Sequence, residues 1–130
     1  MNLLKDLQEE HNLSYLVIAH NLATVRFMSH TVAIMYLGQI VEYGEAEPLF
    51  QNPLHPYTRA LISASVLTLP EDEDQTAEQI ILTGEMPSPL NPPSGCRFHT
   101  RCEDAQDICS KEIPKLKEVN GQQVTCHQYA

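Results

Sequence analysis

Apolar residues along the chain change their period several times, and each change marks an element. In residues 2 to 10, Leu3, Leu4 and Leu7 share one helical face while Lys5, Asp6, Glu9 and Glu10 lie elsewhere, which predicts an amphipathic helix. No Ser, Thr or Asp precedes it as a cap, so the expectation is a helix cut from something longer. The compact run SYLVIA at 14 to 19 predicts a buried parallel strand, and Leu22, Val25 and Met28 then recur at helical spacing. His20 sits at that strand-to-helix junction. TVAIMYLGQIVEYG predicts a hairpin around Leu37 and Gly38, with Val41 and Tyr43 alternating against Glu42.

Pro48, Pro53 and Pro56 punctuate the next stretch, and Pro56 suits the first turn of a helix running through YTRALISASV to about Val66. The α/β part is therefore expected over 1 to 66. Residues 67 to 79, with Glu71, Asp72, Glu73, Asp74 and Glu78, have the composition of a solvated acidic linker. Beyond it lies a tail at 80 to 130. GEMPSPLNPPSGC carries too many prolines for helix or central strand and predicts an extended arm that delivers the chain to its cysteines.

Composition narrows the function. Seventeen acidic against eight basic residues give a formal charge of -9, which repels a phosphate backbone, so nucleic acid is not an expected partner. The charged amino terminus does not read as a secretory signal, and no apolar run approaches the ~20 residues of a membrane span. Membrane association is expected to be peripheral, through a partner.

The candidate chemistry falls in two places. His20 stands at the expected carboxyl end of a strand, where open α/β sheets place their ligand crevice, and an imidazole there can contact a phosphate or relay a proton. The five glycines are too scattered for GxxxxGK[ST] or GxGxxG, so these residues do not cradle a triphosphate by themselves, and no GxSxG elbow occurs. The second place is Cys96, Cys102, Cys109 and Cys126, separated by five, six and sixteen residues, without the CxxC knuckles of zinc ribbons. Four soft thiolates in a reducing compartment suit an iron-sulfur cluster, with Arg97, Arg101, Lys111, Lys115 and Lys117 near in sequence to offset its charge. Replacement of a thiolate by His99 or His127 stays open, as do zinc, a pair of disulfides and plain reduced thiols.

YLVIAHNLATVRFMSHTVAIMYLGQIVEYG resembles the segment around the switch histidine of ABC transporter ATP-binding subunits. NPLHPYTRALISA, GEMPSPLNPPSGCRFHTRC and the closing Cys126-His127 narrow the resemblance to the carboxyl-terminal part of oligopeptide/dipeptide import ATPases, over nearly the whole chain. The resemblance implies a partial P-loop NTPase fold of the ABC type followed by a loop-rich cysteine tail. His20 corresponds to the histidine that contacts the γ-phosphate of ATP, and the four cysteines to a tail that binds a 4Fe-4S cluster. It further implies a second ATPase subunit and membrane permeases as partners, at the cytoplasmic face of the inner membrane. Asn21 replaces the usual Asp after the histidine, His30 stands where an acid is common, and Thr100 where proline is frequent. The phosphate loop, signature motif and catalytic Glu would precede Met1, so this polypeptide alone is not expected to hydrolyse ATP. The rival expectation is a metal-binding or iron-sulfur interaction module that docks on a transporter without catalysis.

Overall fold

A computed structural model describes residues 2–66 and 80–130; the acidic stretch expected as a linker, 67–79, lies outside the described residues. Helix α1 (Asn2–His11) forms as its leucine spacing requires, yet it buries none of its residues. It ends where Asn12 turns left-handed at φ 51°. Lys5 Nζ lies 4.0 Å over the Phe27 ring of α2 (Leu22–Met28).

The strand expected at 14–19 does not form. Among the described residues no other segment pairs with it, and a strand without a ladder leaves its amides to water. Its side chains are exposed, Leu16 at 93% and Ile18 at 92%. The sheet that does form is antiparallel throughout. The architecture is thus a mixture of helices with an antiparallel sheet.

Strand β1 (Thr31–Tyr36) buries Val32, Ile34 and Tyr36 and exposes the residues between them. It turns at Leu37 (φ 46°) and Gly38 (φ 78°) into β2 (Gln39–Glu45), the two positive φ values of a turn that follows the strand twist. The expected alternation in β2 is broken. Ile34 faces Glu42 while Met35 faces Ile40, so Val41 is an extra residue in a bulge. Val41 and Glu42 are consequently both buried, and Tyr43 is 41% exposed.

Helix α3 (Ala46–Gln51), which periodicity did not foretell, accommodates Pro48 because the first helical N–H groups have no partner to lose. Arg26 of α2 reaches across to Glu47 of α3, Nε to Oε2 at 3.1 Å. Helix α4 (Pro56–Val66) starts on Pro56 as expected. Residues 80–94 form neither helix nor strand, also as expected of the proline-rich arm.

The tail then contributes a second hairpin, β3 (Leu116–Val119) and β4 (Gln122–Thr125), turning at Asn120 (φ 52°) and Gly121 (φ 78°). Strand β4 pairs with β2, so the sheet order is β1-β2-β4-β3 and residues on either side of 67–79 share one sheet. Gly44 permits the close approach, since a Cβ there would lie 3.1 Å from the Gln122 side chain. The principal core joins Val32, Ile34, Tyr36, Val41, Ala46 and Leu49 to Phe98 of the cysteine region. A second joins Leu54 to Val124 and Cys126.

Candidate four-cysteine site

The HPYT stretch is where the sheet meets the tail. Glu42 is fully buried, and its carboxylate accepts the N–H of Leu54 at 2.8 Å and of His55 at 2.9 Å. Two hydrogen bonds to ionisable oxygens satisfy the amides that precede α4 and make the burial of a carboxylate tolerable. His55 Nδ1 accepts the N–H of Tyr57 at 3.1 Å. Burial, and secondarily the charge of Arg59, push the His55 pKa down to about 4, so its ring is neutral at physiological pH. The ring packs on Phe98 at 5.7 Å, and Phe98 makes edge contacts with Tyr36 at 5.1 Å.

Phe98 lies between two of the cysteines. Cys96 is placed by Gly95, whose φ of +68° and lack of Cβ are both required, because a Cβ there would stand 2.3 Å from the carbonyl oxygen of Cys109. That proximity lets the Cys96 N–H donate to the Cys109 carbonyl at 2.7 Å. Cys102 ends the single 3₁₀ turn His99–Arg101. Cys109 lies in the turn Asp107–Ser110, its Sγ accepting the Gln106 N–H at 3.4 Å. Cys126 follows β4 and opens the turn His127–Tyr129.

All four are free thiols, which sets aside the two-disulfide arrangement for this structure. They are also neighbours. The Cys96 thiol is raised in pKa by burial and then by the charge of Cys109, and the Cys126 thiol by burial and then by Cys96 and Cys109. Cys102 is pushed up to about 11 by burial, with Asp104, Cys126 and Cys96 adding to it. Thiols that disfavour a neighbour's negative charge are an environment that a cation would reverse. No group of three or more His, Cys, Asp or Glu among the described residues is set to hold a metal ion. The donor chemistry therefore fits a soft metal centre, while the side chains do not stand as an assembled one.

Each candidate replacement histidine has one ring nitrogen held by a backbone carbonyl. A ring nitrogen of His99 lies 2.7 Å from the Cys96 carbonyl and one of His127 lies 2.8 Å from the Glu112 carbonyl, contacts in which the nitrogen must carry the proton and donate. The cation that acts on Cys126 is Arg59 of α4, not one of the five basic residues adjacent in sequence. Arg97 instead donates to the Leu37 carbonyl and pins the β1–β2 turn. Sequence spacing gave no signal for Arg59, because it lies far from every cysteine along the chain.

His20 is exposed, one residue ahead of the α2 cap. Asn21 caps that helix by accepting the Thr24 N–H at 3.2 Å. Among the described residues nothing joins His20 to the cysteines.

A mixed helix and antiparallel-sheet chain with a cysteine-bearing tail is the class of protein that the geometry defines. The family model described as the oligopeptide/dipeptide transporter, C-terminal region, matches residues 41–109, and the chain belongs to this family. It is similar to the di/tripeptide transport ATP-binding protein DppF of Pseudomonas aeruginosa, 47% identical over 98% of this chain and 38% of that relative. The oligopeptide transport ATP-binding protein AppF of Bacillus subtilis is 48% identical over 100% of this chain and 40% of its own length. The dipeptide transport ATP-binding protein DppF of Escherichia coli is 47% identical over 97% of this chain and 37% of its own length. The chain thus spans about two fifths of the length of these relatives.

Proposed function

We propose that this chain serves in the ATP-binding subunit of a peptide importer of the ABC class. The observation that carries the reading is the family match over 41–109, together with near-complete alignment of the chain to peptide-transport ATP-binding proteins. In this reading the first 66 residues are a portion of a P-loop ATPase domain. Residues 80–130 are the tail characteristic of the family. No helix among the described residues is long and apolar enough to cross a membrane, which agrees with attachment through permease subunits at the cytoplasmic face. A second ATP-binding subunit is the other expected partner.

His20 is the candidate switch histidine. Its imidazole, exposed at the head of α2, is free to approach a phosphate presented from outside the chain, as the exposed run before it is free to join a sheet. A contact made to the transferring phosphoryl group stabilises the transition state more than the bound nucleotide, so its loss lowers turnover and spares binding. Cys96, Cys102, Cys109 and Cys126 are the candidate ligands of a 4Fe-4S cluster, supported by their free state, the burial of Cys109 and Cys126 with Cys96 and Cys102 half-buried, and their electrostatic influence on one another. Such a cluster supplies electron-transfer capacity or a structural crosslink. This chain's part is to hold four thiols together, with Cys96 and Cys102 packed against the core that includes Phe98 and Cys126 against Leu54.

The test is uptake of labelled di- and oligopeptides by cells whose only peptide importer contains this chain. His20→Ala is expected to reduce uptake and ATPase turnover about a hundredfold, with nucleotide affinity within about threefold of the unaltered protein. Unchanged turnover would return His20 to a structural role, and uptake unaffected by loss of the whole chain would overturn the transport reading.

A further inference from the structure

Arg59 leaves the first turn of α4 and points toward the tail. Its Nε donates to the Pro53 carbonyl at 3.2 Å and one terminal nitrogen donates to Tyr129 Oη at 3.0 Å. The other terminal nitrogen stands 3.7 Å from the Asp104 carboxylate. Tyr129 Oη in turn donates to the Leu54 carbonyl at 2.8 Å, closing a ring of contacts at the base of the helix.

These contacts fall on two separate cysteine loops. Asp104 belongs to the turn in which the Ala105 N–H returns to the Cys102 carbonyl at 3.3 Å. Tyr129 belongs to the turn in which its own N–H returns to the Cys126 carbonyl, also at 3.3 Å. Cys96 and Cys109, by contrast, are tied directly by their own backbones at 2.7 Å and need nothing from α4. The site is therefore built in two halves, one self-tied and one bridged.

We propose that Arg59 is the positioning residue of the four-cysteine site, its guanidinium setting the Cys102 loop against the Cys126 loop and so coupling α4 to the separation of those two thiols. The inference rests on the four-cysteine reading above and deepens it. Its ion pair with Asp104 is too exposed, at 37% and 49% for the two side chains, to hold the loops by charge alone. What orients the contact is a planar fork fixed by two hydrogen bonds, to the Pro53 carbonyl and to Tyr129 Oη, which aims the remaining terminal nitrogen at Asp104, a geometry that Lys does not offer.

The experiment uses the full metal-free chain and dibromobimane, a reagent that becomes fluorescent on bridging two nearby thiols. One background carries Cys96→Ser and Cys109→Ser, so that only the Cys102–Cys126 pair reports. The other carries Cys102→Ser and Cys126→Ser. Arg59→Gln and Arg59→Lys are each expected to slow bridging of Cys102 to Cys126 about tenfold, the scale of one lost charge-assisted hydrogen bond, and to leave Cys96–Cys109 bridging unchanged. Asp104→Asn and Tyr129→Phe remove one arm each from the loop side with α4 intact, and each should slow the same pair selectively. Selective slowing in these two supports the proposal even where the Arg59 variants unfold. Undiminished Cys102–Cys126 bridging in both, or equal loss at both pairs in every variant, overturns it. Reconstitution of the unaltered chain with ferrous iron and sulfide separates the two claims: iron-free protein that still shows the bridging pattern would sink the iron-sulfur reading and leave Arg59 in its role.

Discussion

Glu42, on the bulged face of β2, accepts the backbone N–H of His55 at 2.9 Å from a position with no exposure to solvent. The same strand residue pairs with Val124 of β4, next but one to Cys126, so one carboxylate joins the start of α4 to the strand that leads into a cysteine. Removing it leaves two buried amides without an acceptor. Glu42→Gln is expected to cost about 1.5–3 kcal/mol and Glu42→Ala about 3–5 kcal/mol, since alanine adds a cavity to the lost bonds. Urea unfolding of the two variants beside the unaltered protein checks both the loss and its order.

His55 makes stability depend on pH in a defined direction. Its folded-state pKa is depressed from 6.5 to about 4, so between those values the unfolded chain binds a proton that the folded one refuses. The contribution is fully present above about 6.5, is lost as pH falls toward about 4, and amounts to at most about 3 kcal/mol. His55→Asn, which retains an acceptor near the Tyr57 amide, should flatten this limb. Denaturation midpoints from pH 4 to 7 that run parallel for the two proteins would show that His55 is not the titrating group.

Gly95 and Gly121 should respond differently to the same substitution. Gly121→Ala meets nothing within 4 Å and bears only the strain of φ +78°, for which about 1 kcal/mol is expected. Gly95→Ala meets backbone at 2.3 Å and must break the Cys96–Cys109 tie, at about 3 kcal/mol or more. Thermal melts of the pair, with Cys96 alkylation as a local probe, separate strain from collision.

Cys96, Cys102 and Cys126 are expected to be sluggish until a cation arrives. With Cys102 held at about 11 against an ordinary 9, its thiolate fraction at neutral pH is roughly a hundredfold below that of a free cysteine, and iodoacetamide should modify it correspondingly slowly. Iron loading must release those protons, so uptake should weaken as pH falls. Alanine at any one of the four cysteines should abolish a stoichiometric cluster, whereas His99→Ala and His127→Ala should keep it. Iron, sulfide and visible absorption after anaerobic reconstitution decide the point, and stoichiometric zinc without iron would reverse it.

Local information settled the local elements. Leu37-Gly38 between alternating runs specified the first hairpin, Pro56 the start of α4, and the prolines from 87 to 93 the absence of helix or strand in the arm, because each acts on its own φ and ψ or its own amide. The Asn120-Gly121 turn was equally legible and marks the hairpin that sequence reading passed over. The four cysteines stood out by residue type, and the structure brought their charges within reach of one another. What only the tertiary structure decided depended on partners remote along the chain. Residues 14–19 have strand composition and no strand, since a ladder needs a neighbour. Glu42 reads as a solvent-facing charge until a bulge turns it inward onto the amides of Leu54 and His55. Arg59 reads as a helix surface residue until folding lays the Cys102 and Cys126 loops against its guanidinium, a juxtaposition set by β4 pairing with β2 rather than by any spacing in the chain.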